Sequence, residues 1–231
     1  TTEIRLRELP DMGYTASDKP NPRGEIMLRG PHIFKGYYKN EEETGKAFDK
    51  DGWFHSGDVG MIDSSGRLYI IDRVKNMFKL AQGEYVGPER IEAIYQSSSS
   101  LIGQMFIDGN SLEVFLVAIV GIMPEAYSLW LRNRFHQSID PTDVVALEET
   151  FKKKEVRKAF NEEINKDAKK AGLKGFEMVK NLNLFIEPMT SANGILTPTM
   201  KVKRKEASSY FKDIIDSMYK EGQIIEAAAK A

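Results

Sequence analysis

The sequence predicts an α+β fold in two parts, a strand-and-turn-rich stretch over residues 1–72 and a larger mixed stretch after it. Three observations predict it. The first third sets short alternating runs, such as Thr1-Thr-Glu-Ile-Arg-Leu-Arg-Glu-Leu9, between Pro- and Gly-rich punctuation such as Asp18-Lys-Pro-Asn-Pro-Arg-Gly24. Further on, Val114-Phe-Leu-Val-Ala-Ile-Val-Gly-Ile-Met123 is a continuous apolar run rich in β-branched residues, the pattern of a buried strand. Helical patterns dominate the remainder.

Taken in order, Ile4, Leu6 and Leu9 begin a strand, and Glu25–Arg29 is a second, closed by Gly30-Pro31. A helix is expected over Glu41–Phe48, with Asn40 as N-cap and three glutamates in its first turn, where the helix dipole favours negative charge. Ser64–Ile71 reads as a turn followed by a strand. Pro88–Gln96 reads as a helix with Pro in its first turn. Gln104–Ile107 and Leu112–Val120 flank Asp108-Gly-Asn-Ser111 as a hairpin. Helices follow over Pro124–Phe135, Pro141–Leu147 and Glu149–Ala171, the last ending at Gly172, then a strand over Asn183–Ile186. Ser191–Pro198 is a loop, Glu206–Glu221 a final amphipathic helix, and Gln223–Ala231 a low-complexity tail expected to fray. The change of character places a domain boundary near Asp72–Lys75.

Composition narrows the function classes. A formal net charge of −1 argues against a chain-wide nucleic-acid binder. With no cysteine, disulfides, thiolate nucleophiles and Cys-based metal sites are excluded. The 3 histidines, His32, His55 and His136, lack metal-ligand spacing. No apolar run reaches the roughly 18 residues of a membrane-spanning helix. A chain that opens directly into a strand, without an initiator Met, is read as a mature form or an excised fragment.

The chemistry is concentrated in Asp51-Gly-Trp-Phe-His-Ser-Gly-Asp58 and in Asp72-Arg-Val-Lys75. A carboxylate beside a glycine turn, followed by a strand that delivers an Arg and a Lys, suits a ribose and a phosphate, in a chain with no phosphate-binding glycine loop. Local sequence alone favours Asp58 as a turn aspartate, and reads Lys75 and Lys79 as solvated loop charges, the usual fate of lysine. Trp53 and Phe54 read as packing residues, and His55 as a structural residue or a neighbour of the nucleotide.

In order along the chain, RGEIMLRGPHIFKGYYKNEEET, DKDGWFHSGDVG, IIDRVKNMFKLAQGEYVGPERIE and NGILTPTMKVKRKE make the sequence similar to the C-terminal part of the adenylate-forming superfamily, above all eukaryotic long-chain fatty acid–CoA ligases. The resemblance implies a small barrel-like β-rich subdomain over 1–72 that is part of a large adenylation domain, a hinge over 73–75, and a mobile domain over 76–231 with a small sheet flanked by helices. It implies that Asp58 accepts from the ribose hydroxyls, that Arg73 contacts ribose and phosphate, and that Lys75 is the hinge residue. Lys79 and Gly83 would face the site during thioester formation, and Lys201 would enter it for adenylation. The substrates implied are ATP, a fatty acid and CoA. Magnesium ligands, the phosphate loop and the fatty-acid tunnel are expected upstream of residue 1, so that the chain alone would be inactive. The implied location is a cytoplasmic face with possible membrane association in the full-length protein. Lys203 and Arg204 are candidates for CoA phosphates, against a plain reading as charges preceding a helix. The sequence differs from the usual family pattern at Ser56, where Thr is common, and at Gly87, where Ala is usual. A ligase for another carboxylic acid and a non-enzymatic interaction module are the alternatives.

Overall fold

A computed structural model describes residues 1–225, which form two compact units, the first Thr1–Met77 and the second beginning at Phe78. The tail expected to fray lies mostly outside the described residues.

The first unit is an open antiparallel sheet of four strands in the order β1-β2-β3-β4: β1 (Glu3–Arg7), β2 (Arg23–Arg29), β3 (Phe54–Ile62) and β4 (Leu68–Arg73). No barrel closes among the described residues. Helix α1 (Glu41–Ala47) connects β2 to β3, and the Asn40 side chain accepts from the Glu43 N–H as the capping pattern predicts. Trp53 is buried between two guanidinium groups, Arg5 at 4.3 Å and Arg29 at 4.5 Å from its ring centroid. Each arginine is itself held by a carboxylate, Asp49 and Glu3 respectively. Phe34 makes edge-on contacts with Phe48 and Phe54. Both Trp53 and Phe54 are therefore packing residues, as read from the sequence. The run Asp51–Asp58 does more than turn: its second half is the opening of β3.

The second unit begins with a short ribbon, β5 (Phe78–Lys79) against β6 (Tyr85–Val86), and continues into α2 (Pro88–Ser98). Its centre is a sheet in the order β7-β8-β9: β7 (Ile102–Asp108), β8 (Leu116–Ile122) and β9 (Val179–Phe185). β8 is antiparallel to β7 and parallel to β9. A parallel pair needs a long crossover, and α3 (Pro124–Phe135), α4 (Val144–Phe151) and α5 (Lys154–Lys170) supply it. Leu116, Ala118, Val120 and Ile122 of β8 face a core built with α2, α3, α4 and α5. Val117 and Ile119 face a second core closed by α6 (Arg204–Tyr210) and α7 (Lys212–Glu221). Burial of both faces is why this strand reads as an unbroken apolar run.

Several boundaries differ from those read from the sequence: β9 begins at Val179 rather than Asn183, the two units divide after Met77, and three further differences have their reason in packing and turn chemistry. The expected helix over Glu149–Ala171 divides: Asp143 caps α4 by accepting from the Ala146 N–H, and Lys153 is extended, so Phe151 and Val156 both reach the core. The final helix breaks at Phe211, which is drawn into the second core between Phe106 and Phe185. The hairpin loop is longer than expected, because Asn110 organises it by accepting from Leu112 N–H while Glu113 N–H turns back onto the Asn110 carbonyl.

Because Ile119 is fully buried at the centre of the sheet, Ile119→Ala is expected to cost about 2–5 kcal/mol. Urea denaturation of the 231-residue chain checks this, and an unchanged midpoint would contradict the two-faced core.

Candidate functional site

In the first unit the candidate site is built on an irregularity. β2 and β3 pair at Glu25↔Val59 and next at Met27↔His55, so Ser56, Gly57 and Asp58 stand opposite Ile26 alone. A bulge of this kind re-aims a side chain, and it needs Gly57 at φ +72°, a conformation costly for other residues. What holds the bulge is Glu25, whose carboxylate is buried. Its Oε1 accepts from the Gly57 N–H at 3.2 Å, and its Oε2 lies 2.6 Å from Arg7 Nη2 and 3.2 Å from His55 Nδ1. The Asp58 N–H donates to Ser56 Oγ at 3.1 Å. The hydroxyl at position 56 therefore has a structural task in shaping the turn.

Asp58 stands directly opposite Arg73 on β4, and Arg73 Nε donates to Asp58 Oδ1 at 2.8 Å. The Arg73 side chain is 60% exposed and that of Asp58 24%. An ion pair this exposed contributes about 0–1 kcal/mol, so it orients the two groups more than it stabilises the sheet. Asp58 Oδ2 meets no protein donor among the described residues, leaving an acceptor for a diol. The Arg73 N–H is fixed by the buried Asp72 at 2.7 Å. Lys75 is exposed in a single 3-10 turn, Val74–Asn76.

The second unit holds the other candidates on two loops. Lys79 ends β5, with its ammonium 5.3 Å from the Tyr85 ring centroid across the ribbon. Gly83, at φ +102°, closes the turn by donating to the Leu80 carbonyl at 2.9 Å. This turn is tied to the β7–β8 loop, since the Ala81 N–H donates to the Glu113 carbonyl and Gln82 Nε2 to that of Val114. Lys201 is exposed on a separate turn. Thr197 closes that turn twice, its N–H donating to the Lys201 carbonyl at 2.8 Å and its Oγ1 accepting from the Lys201 N–H at 3.0 Å. Met200 adopts φ +61° at the corner.

Arg204 is committed elsewhere. It donates to Glu92 Oε1 at 2.7 Å and to the Ile107 carbonyl, and lies 4.7 Å from the Phe106 ring centroid. That removes Arg204 from the candidates for CoA phosphates. Burial pushes the Glu92 carboxyl up to about 7, against the pull of Arg204 and the Ile107 N–H toward the ionised form. The structure thus brings Asp58 and Arg73 together, and Lys79 and Gly83 together, with Lys201 on its own loop. Sequence reading missed Glu25 and Glu92. The signal for Glu92 was present: Pro88, Ile91, Glu92 and Tyr95 form one buried helical stripe, and a carboxylate there needs a partner. For Glu25 it was a lone acid inside an apolar strand.

Neither chemistry-bearing loop coincides with a cavity of about 600 Å³ on the second unit, which is lined by Asp108, Ser208, Lys212 and Tyr219. No group of three or more metal-ligating side chains occurs among the described residues. No described helix is long and apolar enough to cross a membrane.

No protein-family model matches the chain. It is 43% identical over 229 residues to a peroxisomal acyl-CoA ligase of Penicillium roqueforti, covering 99% of this chain and 32% of the relative. To a human long-chain-fatty-acid–CoA ligase it is 43% identical over 216 residues, 94% of this chain and 29% of the relative. The chain therefore spans about a third of the length of the curated relatives it matches. Among solved structures it is similar to the A domain of a carboxylic acid reductase from Segniliparus rugosus, determined with AMP and a co-purified carboxylic acid. The TM-score is 0.78 and the identity 30%, over 95% of this chain and 31% of that one.

Two substitutions test the buried carboxylates. Glu25→Ala leaves the Gly57 N–H and His55 without their acceptor and is expected to cost about 1–3 kcal/mol, read from the urea midpoint. Glu92 is harder to ionise in the folded chain, near 7, than at its usual 4.5, so its contribution to stability falls as pH rises through that window. Glu92→Gln should therefore flatten the decline in urea midpoint between about pH 5 and pH 8. Parallel profiles for the two proteins would contradict this account.

Proposed function

The chain belongs to the acyl-CoA ligase branch of the adenylate-forming superfamily, and from that premise we propose that it supplies part of the machinery of an ATP-dependent long-chain fatty acid–CoA ligase. The observation that carries the reading is the Asp58–Arg73 pair on adjacent strands, with one Asp58 oxygen held by Arg73 and the other open. Vicinal ribose hydroxyls match such a carboxylate, and the guanidinium beside it suits an adjacent phosphate.

The proposed reaction has two steps. The fatty-acid carboxylate attacks the α-phosphate of ATP, forming an acyl-adenylate as pyrophosphate leaves. The thiol of CoA then attacks the acyl carbonyl, forming the thioester as AMP leaves and the thiol gives up its proton. In the first step, Lys201 would place its ammonium against charge growing on the phosphoryl oxygens. The tight turn closed by Thr197 supports this, because a fixed backbone lets an exposed lysine be aimed. In the second step, Lys79 and Gly83 would face the adenylate, Gly83 allowing close approach of backbone to ligand. Lys75 would be the hinge between a partial large-domain segment over 1–72 and a mobile domain from residue 76. The division of the chain after Met77 supports a joint in that region. Magnesium would neutralise the phosphates, held by ligands supplied from outside this chain. The proposed setting is a cytoplasmic face, with membrane association, where present, supplied by other parts of the protein.

The test uses the complete ligase that contains this chain. Lys201→Ala should reduce ATP–pyrophosphate exchange by about 10²-fold or more and largely spare thioester formation from supplied acyl-adenylate. Unchanged exchange would overturn the assignment. Preference for short or aromatic acids in a chain-length series would move the substrate class.

A further inference from the structure

Strand β7 is an edge of its sheet, since β8 lies on one side and, among the described residues, no strand lies on the other. Exposed edges leave backbone donors and acceptors without partners, and here side chains take the place of the absent strand. At Ile107 the N–H donates to Glu92 Oε1 at 2.8 Å and the carbonyl accepts from Arg204 Nη2. The two side chains also meet each other, Arg204 Nη1 to Glu92 Oε1 at 2.7 Å, so backbone, carboxylate and guanidinium form a closed ring of hydrogen bonds. Phe106 packs on the guanidinium. Three residues earlier on the same strand, the Gln104 side chain holds the backbone of Met189, donating to the Met189 carbonyl at 2.8 Å and accepting from the Met189 N–H at 3.0 Å.

These two clamps bracket the segment 189–204, which carries Lys201. Within it the Lys203 N–H donates to the Ile195 carbonyl at 2.8 Å, and Leu196 bridges Val202. Ile195 and Leu196 are buried while Lys201 is exposed. The loop is therefore fastened at Met189 and at Arg204, with its turn projecting between the two points. Arg204 is three residues from Lys201 and is the first residue of α6. A helix start fixed to the sheet edge sets the height and direction from which the turn projects.

We propose that Arg204, held by Glu92 at the Ile107 edge of β7, is a positioning residue that aims Lys201 at the reacting phosphate. The inference rests on the reading of Lys201 as the adenylation lysine. Arg204 touches no substrate and acts through the backbone that joins it to Lys201. The requirement is for two donors in a fixed fork, one for Glu92 and one for the Ile107 carbonyl. A lysine at this position keeps the charge and loses the fork.

The experiment is done in the complete ligase, with Arg204→Met, Arg204→Lys and Glu92→Gln beside Lys201→Ala. Misplacing a catalytic group by about 1 Å costs on the order of 10²-fold. Arg204→Met is expected to lower ATP–pyrophosphate exchange by about 10- to 100-fold through kcat, with KM for ATP little changed and thioester formation from supplied acyl-adenylate within about twofold. Arg204→Lys should recover part of the loss, and Glu92→Gln, which keeps an acceptor for both donors, should show a smaller loss in exchange alone. Equal losses in both half-reactions, or none in either, would overturn the proposal. If Arg204→Met does not fold, Arg204→Lys and Glu92→Gln decide by the same criterion. Lys201→Ala separates the two readings: if it leaves exchange intact the functional assignment fails, whereas if it abolishes exchange and the Arg204 and Glu92 variants do not reduce it, only the positioning role fails.

Discussion

The second unit depends on one strand being dry on both faces. β8 contributes alternate side chains to two separate cores, one completed by α2 and the crossover helices α3, α4 and α5, the other by α6 and α7. Fully burying one large aliphatic side chain stabilises by about 1.5–3 kcal/mol, and the seven residues of β8 all lie inside. This burial obliges the chain to cover both sides of a sheet only three strands wide. It accounts for the long excursion from β8 to β9 and for the return of the C-terminal helices to the opposite face. The loop carrying Lys201 is part of that return path, with Ile195 and Leu196 plugged into the second core.

Where the strand ladder leaves a backbone N–H without a strand partner, both units supply a buried carboxylate, at a bulge between inner strands in the first and at a sheet edge in the second. In the first, Glu25 of β2 reaches across to the Gly57 N–H and holds open the bulge from which Asp58 projects. In the second, Glu92 of α2 takes the Ile107 N–H and recruits Arg204. Each buried carboxylate replaces an absent backbone acceptor, and the groups they hold, Gly57 and Arg204, lie one and three residues from Asp58 and Lys201. A buried, fully bonded polar group tolerates little displacement, because an unsatisfied donor in such a place costs about 1–3 kcal/mol. Half-buried Asp58 thereby gains a defined position, and the proposed aiming of exposed Lys201 rests on the same device.

The legibility of these features in the sequence followed their physical range. Asn40 as a cap, Pro88 and Pro124 at helix starts and the apolar run at β8 were readable because each depends on neighbours a few residues away. The break at Phe211 was not, because an amphipathic helix pattern continues through it and only the aromatic contacts with Phe106 and Phe185 favour the kink. The division of α4 from α5 has the same origin in core placement of Phe151 and Val156. The site residues Asp58, Arg73, Lys75, Lys79, Gly83 and Lys201 were named from ordered motifs. Local chemistry alone favoured plain readings for Asp58, Lys75 and Lys79.

By itself the sequence determined the α+β class, the buried central strand and the kinship carried by four ordered motifs, because these rest on local periodicity and on residue identity. Only the tertiary structure decided that Asp58 meets Arg73 across a strand pair, that Glu25 shapes the bulge that ends at Asp58, and that Arg204 belongs to Glu92 and the edge of β7. Those contacts join residues 15, 32 and 112 positions apart. Hydrogen-bond geometry at such separations is set by how strands register and where helices pack, and no short-range pattern records it.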